Sequence, residues 1–170
     1  MALITEDGTG IDDAESYASV EEADAYHSDR ENTAWADAEP TSKEAALRKA
    51  TDFIETVYGP RFFGERLVPS QNLSFPRDPV SWDGSPSWDG VPPRVVRATA
   101  ELALRVVKGV DLMPDSKKEV TKAKTDVLET TYALATGPRF PFIEAMLSPL
   151  AASLTEAEDT GNPWVNLVRV

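Results

Sequence analysis

Apolar positions recur at helical spacing in four stretches of this chain, and the intervals between them set its plan. The first stretch follows Ser19. Ser19-Val20-Glu21-Glu22 reads as a capping box, with the Ser19 hydroxyl facing the start of a helix and Glu22 reaching back to the cap. Val20, Ala23 and Tyr26-His27 form one stripe, so a helix is expected to run to about Asp29. Thr41-Ser42-Lys43-Glu44 is a second box. Behind it Leu47, Ala50, Ile54, Val57 and Tyr58 fall at i, i+3, i+7, i+10 and i+11, which predicts a helix over 42–58, capped by Gly59 and stopped by Pro60. Pro92-Pro93 open a third helix, expected to end at Gly109. Val95, Val96, Ala98, Ala100, Leu102, Ala103, Val106 and Val107 cover most of its circumference, the pattern of a central helix, with Arg94, Arg97, Arg105 and Lys108 at its polar edge. A fourth, short helix from Pro141 to about Leu150 carries Phe142, Ile143, Met146 and Leu147.

The intervening segments differ in kind. Residues 59–93 hold over half of the 13 prolines and show no helical period. Within them Ser81-Trp82-Asp83-Gly84 recurs as Ser87-Trp88-Asp89-Gly90, a local duplication with a turn signal in each copy. A loop this long inside a small domain points to a functional excursion or to disorder. Residues 117–134 alternate partly between polar and apolar and are rich in Val and Thr. Two strands joined near Lys124–Asp126 fit this pattern, and a helix across the same residues competes. Residues 155–163 are polar and acidic, and Trp164 to Val170 is apolar again, as expected of a terminus that docks. The expected fold is therefore mainly α: a bundle of about four helices with a Pro-rich loop, a β-hairpin and an extended C-terminal arm. Residues 1–154 form the body and 155–170 the arm. The core is expected to hold Leu47, Ala50, Ile54, Val57, Leu102, Val106, Phe142, Ile143 and Met146.

Charge changes the picture more than composition does. The chain of 170 residues is 41% hydrophobic, which suits a globular domain, and carries −12. Residues 1–40 contain twelve acids against Arg30, whereas the remainder is nearly balanced. An acid-rich third does not clamp phosphates. No run approaches the ~20 apolar residues of a membrane span, and the start lacks the basic and apolar regions of a secretory leader. There is no cysteine and one histidine, which removes thiol chemistry, zinc–thiolate sites and multi-histidine metal sites.

No catalytic constellation emerges. His27 has no Ser or Asp partners at a telling spacing and reads as a partly buried or surface residue. The run Glu6 to Asp13 fails the ligand pattern of a calcium loop and reads as a solvated acidic turn. No enzyme, metal or cofactor is expected. Arg61, Arg66, Arg77, Arg94 and Arg97, interleaved with Phe62, Phe63, Phe75, Trp82 and Trp88, offer the ingredients of a single-strand binder. Glu65, Asp78, Asp83 and Asp89 leave that window almost neutral, however, and favour aromatics packed on helices with arginines paired to acids.

The order of residues also resembles a known family. Ala2-Leu3-Ile4-Thr5-Glu6-Asp7-Gly8-Thr9-Gly10, then Ala14-Glu15-Ser16-Tyr17 and Glu22-Ala23-Asp24-Ala25-Tyr26, are similar to the opening of certain tailed-phage and prophage proteins. Asn32 to Trp35, Lys43 to Tyr58, Gln71-Asn72-Leu73-Ser74-Phe75-Pro76-Arg77 and Val91-Pro92-Pro93 extend the likeness over nearly the whole chain. The doubled Ser-Trp-Asp-Gly departs from it. The family is often labelled DnaT-like single-stranded-DNA-binding protein. Its arrangement also resembles the head–tail connector adaptors of long-tailed phages.

The resemblance implies a non-catalytic subunit of a homo-oligomeric ring, usually of twelve, in the virion neck. It implies assembly in the bacterial cytoplasm and contact with the portal and with the next connector, stopper or tail protein. Double-stranded DNA passes such a ring without being specifically bound, and no membrane is involved. On this reading Trp164, Val165, Leu167, Val168 and Val170 dock to the portal. Phe62, Phe63, Arg77, Trp82, Trp88, Lys122 and Lys124 make ring or partner contacts, and Glu21, Glu22 and Asp24 face the DNA. The alternative is a replication accessory that binds single-stranded DNA.

Overall fold

The computed structural model describes residues 2–78, 90–114, 120–122, 131–132 and 140–152. Among these the chain is mainly helical. Helix α1 spans Val20–Ser28, α2 Thr33–Ala36, α3 Pro40–Val57, α4 Pro93–Val107 and α5 Pro141–Leu147. A 3-10 turn, Gly59–Arg61, extends α3, and strands β1 (Val120–Lys122) and β2 (Thr131–Tyr132) pair antiparallel. The pairing of Val120 with Tyr132 decides for two strands over a helix there. The expected connection near Lys124–Asp126, the duplicated Ser-Trp-Asp-Gly from Ser81 to Asp89 and the arm from residue 155 on lie outside the described residues.

Helix α4 is the central element, as its all-round apolar surface predicts. It packs against α1, α2, α3 and α5, and Val95, Ala98, Ala100, Leu102 and Ala103 are essentially inaccessible. Its end follows from Gly109, whose φ of 82° relieves the terminal turn. The Gly109 amide donates to the Val106 carbonyl and the Val110 amide to that of Arg105, which closes the orphan carbonyls in a Schellman arrangement. Across from α4, helix α3 buries Leu47, Ala50 and Ile54, and α5 buries Ile143 and Leu147. Each fully buried Leu or Ile contributes about 1.5–3 kcal/mol.

Helix starts agree with the sequence where a side chain caps them and differ where proline takes over. The Ser19 box forms in full: the Glu22 amide lies 3.1 Å from Ser19 Oγ, and the Ser19 amide 2.8 Å from Glu22 Oε2. The second box does not form. Pro40 occupies the first helical position, so α3 begins two residues early, and Glu44 turns to Arg48 instead, 3.4 Å away. Gly59 is likewise not the left-handed cap expected of it. Its role is close approach: a Cβ there would sit 3.0 Å from Ser74 Oγ. Helix α2 has a single turn, too short to leave a periodic signal, yet its Trp35 is buried. Val57, Val106 and Met146 are half-buried against the core. Phe142 is 54% exposed and leaves the expected core altogether. With Ile143 and Leu147 four apart and facing inward, the preceding position is rotated by about 100° toward solvent.

A buried polar node fastens the irregular segments to the helices. Tyr17, 1% exposed, donates its hydroxyl hydrogen to Glu55 on α3 and accepts from the Phe75 amide at 3.1 Å. Glu55 also accepts from the Ser74 amide and hydroxyl, at 3.1 and 2.8 Å. Burial, reinforced by the Glu55 charge, pushes the Tyr17 phenol well above its usual range, so it stays a donor. Glu55→Gln would aim an amide N–H at groups that already donate. A loss of about 2 kcal/mol in urea unfolding is expected, since a buried donor left unmatched costs about 1–3 kcal/mol. In the same assay Ile143→Ala should cost about 2–5 kcal/mol, whereas Phe142→Ser should stay within about 0.5 kcal/mol. Equal losses at positions 142 and 143 would contradict the assigned face of α5.

Candidate functional site

The 59–78 loop holds three of the sequence-predicted contact residues, and the structure spends most of their chemistry internally. Phe62 is buried, with its ring centroid 4.7 Å from that of Phe75, which in turn meets Tyr17 edge-on. Phe63 is half-buried, and its carbonyl accepts from Arg77 Nε at 2.7 Å. Arg77 also donates Nη1 to the Ser74 carbonyl at 3.2 Å and Nη2 to that of Gly64. Burial lowers its pKa below the usual arginine value. Arg77 is thus a clamp across the loop. The sequence expected such arginines to pair with acids, but here the acceptors are backbone carbonyls.

Gln71 completes the clamp. Its Nε2 donates to the Leu73 and Pro76 carbonyls, and its Oε1 accepts from the Val68 amide. Asn72 reaches the Ala14 carbonyl at 2.8 Å, tying the loop to the N-terminal segment. Gln71 is buried among backbone groups that helices would otherwise satisfy. The sequence offered Phe75 and Arg77 as contact or base-stacking residues and the Gln71–Arg77 run as a likeness, and these clamp roles of Gln71 and Arg77 were missed.

The N-terminal acids fall into three groups. Glu6 is 4% exposed and takes the Gly8 and Gly10 amides on Oε1 and the Ile11 amide on Oε2, each at 2.9 Å. The supposed solvated turn is therefore wound around one buried carboxylate whose lone pairs are taken by backbone N–H groups. Among the described residues no cluster of three metal-ligating side chains occurs. Of the predicted DNA-facing acids, Glu21 is exposed, Glu22 caps α1, and Asp24 accepts from Trp35 Nε1 at 2.7 Å and from Lys43 Nζ at 2.9 Å. Asp7, Asp12, Asp13, Asp29, Glu31, Asp37 and Glu39 are exposed as well, so the surface of residues 2–40 is acidic.

Beside Asp24 a cleft of about 400 Å³ is lined by His27, Asn32, Trp35 and Lys43. His27 is more deeply buried than expected, at 1% exposed. Its Nε2 lies 3.1 Å from the Ala100 carbonyl and its Nδ1 3.0 Å from Asn32 Nδ2, so the neutral ring with hydrogen on Nε2 satisfies both neighbours. Its ring packs 4.8 Å from that of Trp35. Among the described residues both ring nitrogens are taken up by Ala100 and Asn32, which fixes the ring between α1 and α4.

Trp82, Trp88, Lys124, Trp164, Val165, Leu167, Val168 and Val170 lie outside the described residues, and Lys122 is placed by its backbone in β1. Of the window arginines, Arg66, Arg94 and Arg97 remain exposed. No described helix is long and apolar enough to cross a membrane.

The family model described as "Putative DnaT-like ssDNA binding protein" matches residues 1–170. The chain belongs to that family. No curated protein and no solved structure matches it. Within this DnaT-like chain, the stretches that carry the likeness are the ones that build the Glu6 turn, the Ser19 cap and the Gln71–Arg77 clamp.

Burial lowers the pKa of His27 from its ordinary 6.5. As pH falls the unfolded chain therefore takes up this proton first. The contribution to stability is complete above about pH 6.5 and is lost as pH drops toward the folded value, at up to about 1.4 kcal/mol per pH unit. Urea midpoints measured from pH 7.5 to 5.5 should fall for the natural chain and stay nearly flat for His27→Gln. An unchanged slope in the variant would assign the effect to other groups.

Proposed function

We propose that this DnaT-like chain is a non-catalytic assembly subunit, a head–tail connector adaptor that joins a homo-oligomeric ring between portal and tail. One observation carries the reading. Phe62, Phe75 and Arg77, residue types that would stack bases and hold phosphates, are turned inward, while the exposed part of residues 1–40 is acidic. Such a surface repels phosphate and suits a part that DNA slides past. The apolar Trp164–Val170 segment behind an acidic spacer supplies the docking chemistry toward the portal.

The second reading, binding of single-stranded DNA, is favoured by the description of the matched family. It would rest on Trp82 and Trp88 with the exposed Arg66, Arg94 and Arg97.

Two measurements separate the readings. Mixed with portal, the full chain should form rings, and a chain lacking residues 164–170 should stay folded but fail to attach. Unimpaired attachment would remove the docking claim. Fluorescence anisotropy with oligonucleotides at low salt should show no binding by the adaptor. Salt-sensitive binding that is weakened by Trp82→Ala or Trp88→Ala, by roughly 1–3 kcal/mol per stacked base, would decide for the second reading.

A further inference from the structure

A groove of about 410 Å³ lies between α1 and α4. Each of its walls is a helical stripe: Glu22, Ala25 and Asp29 on α1, and Val96, Arg97 and Ala100 on α4. Ala25, Val96 and Ala100 give the valley small apolar groups, of which Ala25 is exposed and Val96 half-buried. The charges stand on the shoulders and are sorted by sign. Glu22 and Asp29 are exposed on the α1 side, and Arg97 is exposed on the α4 side with Arg94 one turn before it. The ion pairs among the described residues are Lys43 with Asp24, Arg48 with Glu15 and Glu44, and Arg105 with Glu101. Asp29, Arg94 and Arg97 therefore stand without one, and the groove keeps its two shoulders from neutralising each other.

The complement of such a surface is a second pair of helices with the signs exchanged. The same surface supplies it. A half-turn about an axis along the groove carries α1 of one copy onto α4 of another, and α4 onto α1. The acids of each copy then oppose the arginines of the other, twice in one contact. Ala25, Val96 and Ala100 of both copies meet between them, as in the seam of a four-helix bundle, where small side chains let the helices come close. A half-turn about an axis across the groove would instead set acids on acids and arginines on arginines. Charge thus selects both the occupant and its orientation.

We propose that two copies of this chain associate through the α1–α4 groove as a two-fold dimer. A contact of this symmetry closes on itself, so the assembly stops at two. It goes beyond the ring and portal contacts of the proposed function and stands without them.

Sedimentation of the isolated full-length chain tests this. At low salt the chain should pass from monomer to dimer as its concentration rises, and added salt should weaken the dimer. Arg97→Glu and Asp29→Arg should each raise the dimer Kd about tenfold or more, because each change creates repulsion at two symmetric places. Both side chains are exposed, so the fold should be unaffected. Mixed in equal amounts, the two variants should form a heterodimer close to the natural chain in affinity, since opposed charges again differ in sign. Ala25→Gln puts polar bulk in the seam, leaves every charge in place and should also give a monomer. A chain that stays monomeric up to sub-millimolar concentration would overturn the proposal. So would a dimer indifferent to these changes, or a mixture that associates no better than its components. Assembly beyond two copies that the same changes disrupt would mean that the walls meet head to tail, and would overturn the two-fold form.

Discussion

The carboxylate of Glu55 is the constraint on which the irregular half of the molecule depends. Helices α3 and α4 would pack on their apolar faces without it. The segment before α1 and the loop after α3 would not, because neither has a periodic apolar face. Both converge on this one side chain: Tyr17 from one and Ser74 from the other, with the Phe75 amide on the Tyr17 hydroxyl. The lone pairs of this half-buried carboxylate are filled by three donors, the Tyr17 hydroxyl and the Ser74 amide and hydroxyl. The absence of a side chain at Gly59 leaves room for Ser74 to come near.

The same device recurs at Glu6, where one carboxylate gathers three backbone amides from a turn that has no other partner. Gln71 and Arg77 apply it in reverse, each gathering carbonyls. The chain thus builds its loops around single polar side chains in place of ladders of backbone hydrogen bonds. That explains how the described part of the proline-rich stretch, residues 59–78, is held: proline removes amide donors, and side-chain donors replace them.

This strategy also decides what the sequence could reveal. The positions of α1, α3, α4 and α5 were legible because burial along a helix repeats every 3.6 residues, and the Ser19 cap and the Gly109 stop carry local signatures. Helix α2 was not, since a single turn has no period, and the inward face of α5 was misread at Phe142 because seven residues fix a face poorly. The polar nodes escaped for a different reason. Glu6, Glu55 and Arg77 look like surface residues in any composition count, and only their three-dimensional neighbours reveal that Glu6 is buried and the other two half-buried. The likeness to a family pointed to the right stretches without saying that their work is architectural. For the candidate site, the sequence offered Phe62 and Arg77 both as contact residues and as parts of an inward-packed loop, and the structure turns the Phe62 ring and the Arg77 guanidinium onto the loop itself.

One contact bears on how this fold tolerates change. Gly8 and Gly90 touch backbone to backbone, each with positive φ, and a Cβ on Gly8 would come within 2.9 Å of the Gly90 Cα. At the other side, the Asp78 amide is held by the Glu65 carbonyl at 2.8 Å. The two ends of the stretch that contains the doubled Ser-Trp-Asp-Gly are therefore anchored independently of what lies between them. Lengthening a loop between fixed ends costs only about 0.6 kcal/mol per doubling. The framework can thus accept an inserted tetrapeptide at this place while its core stays as it is.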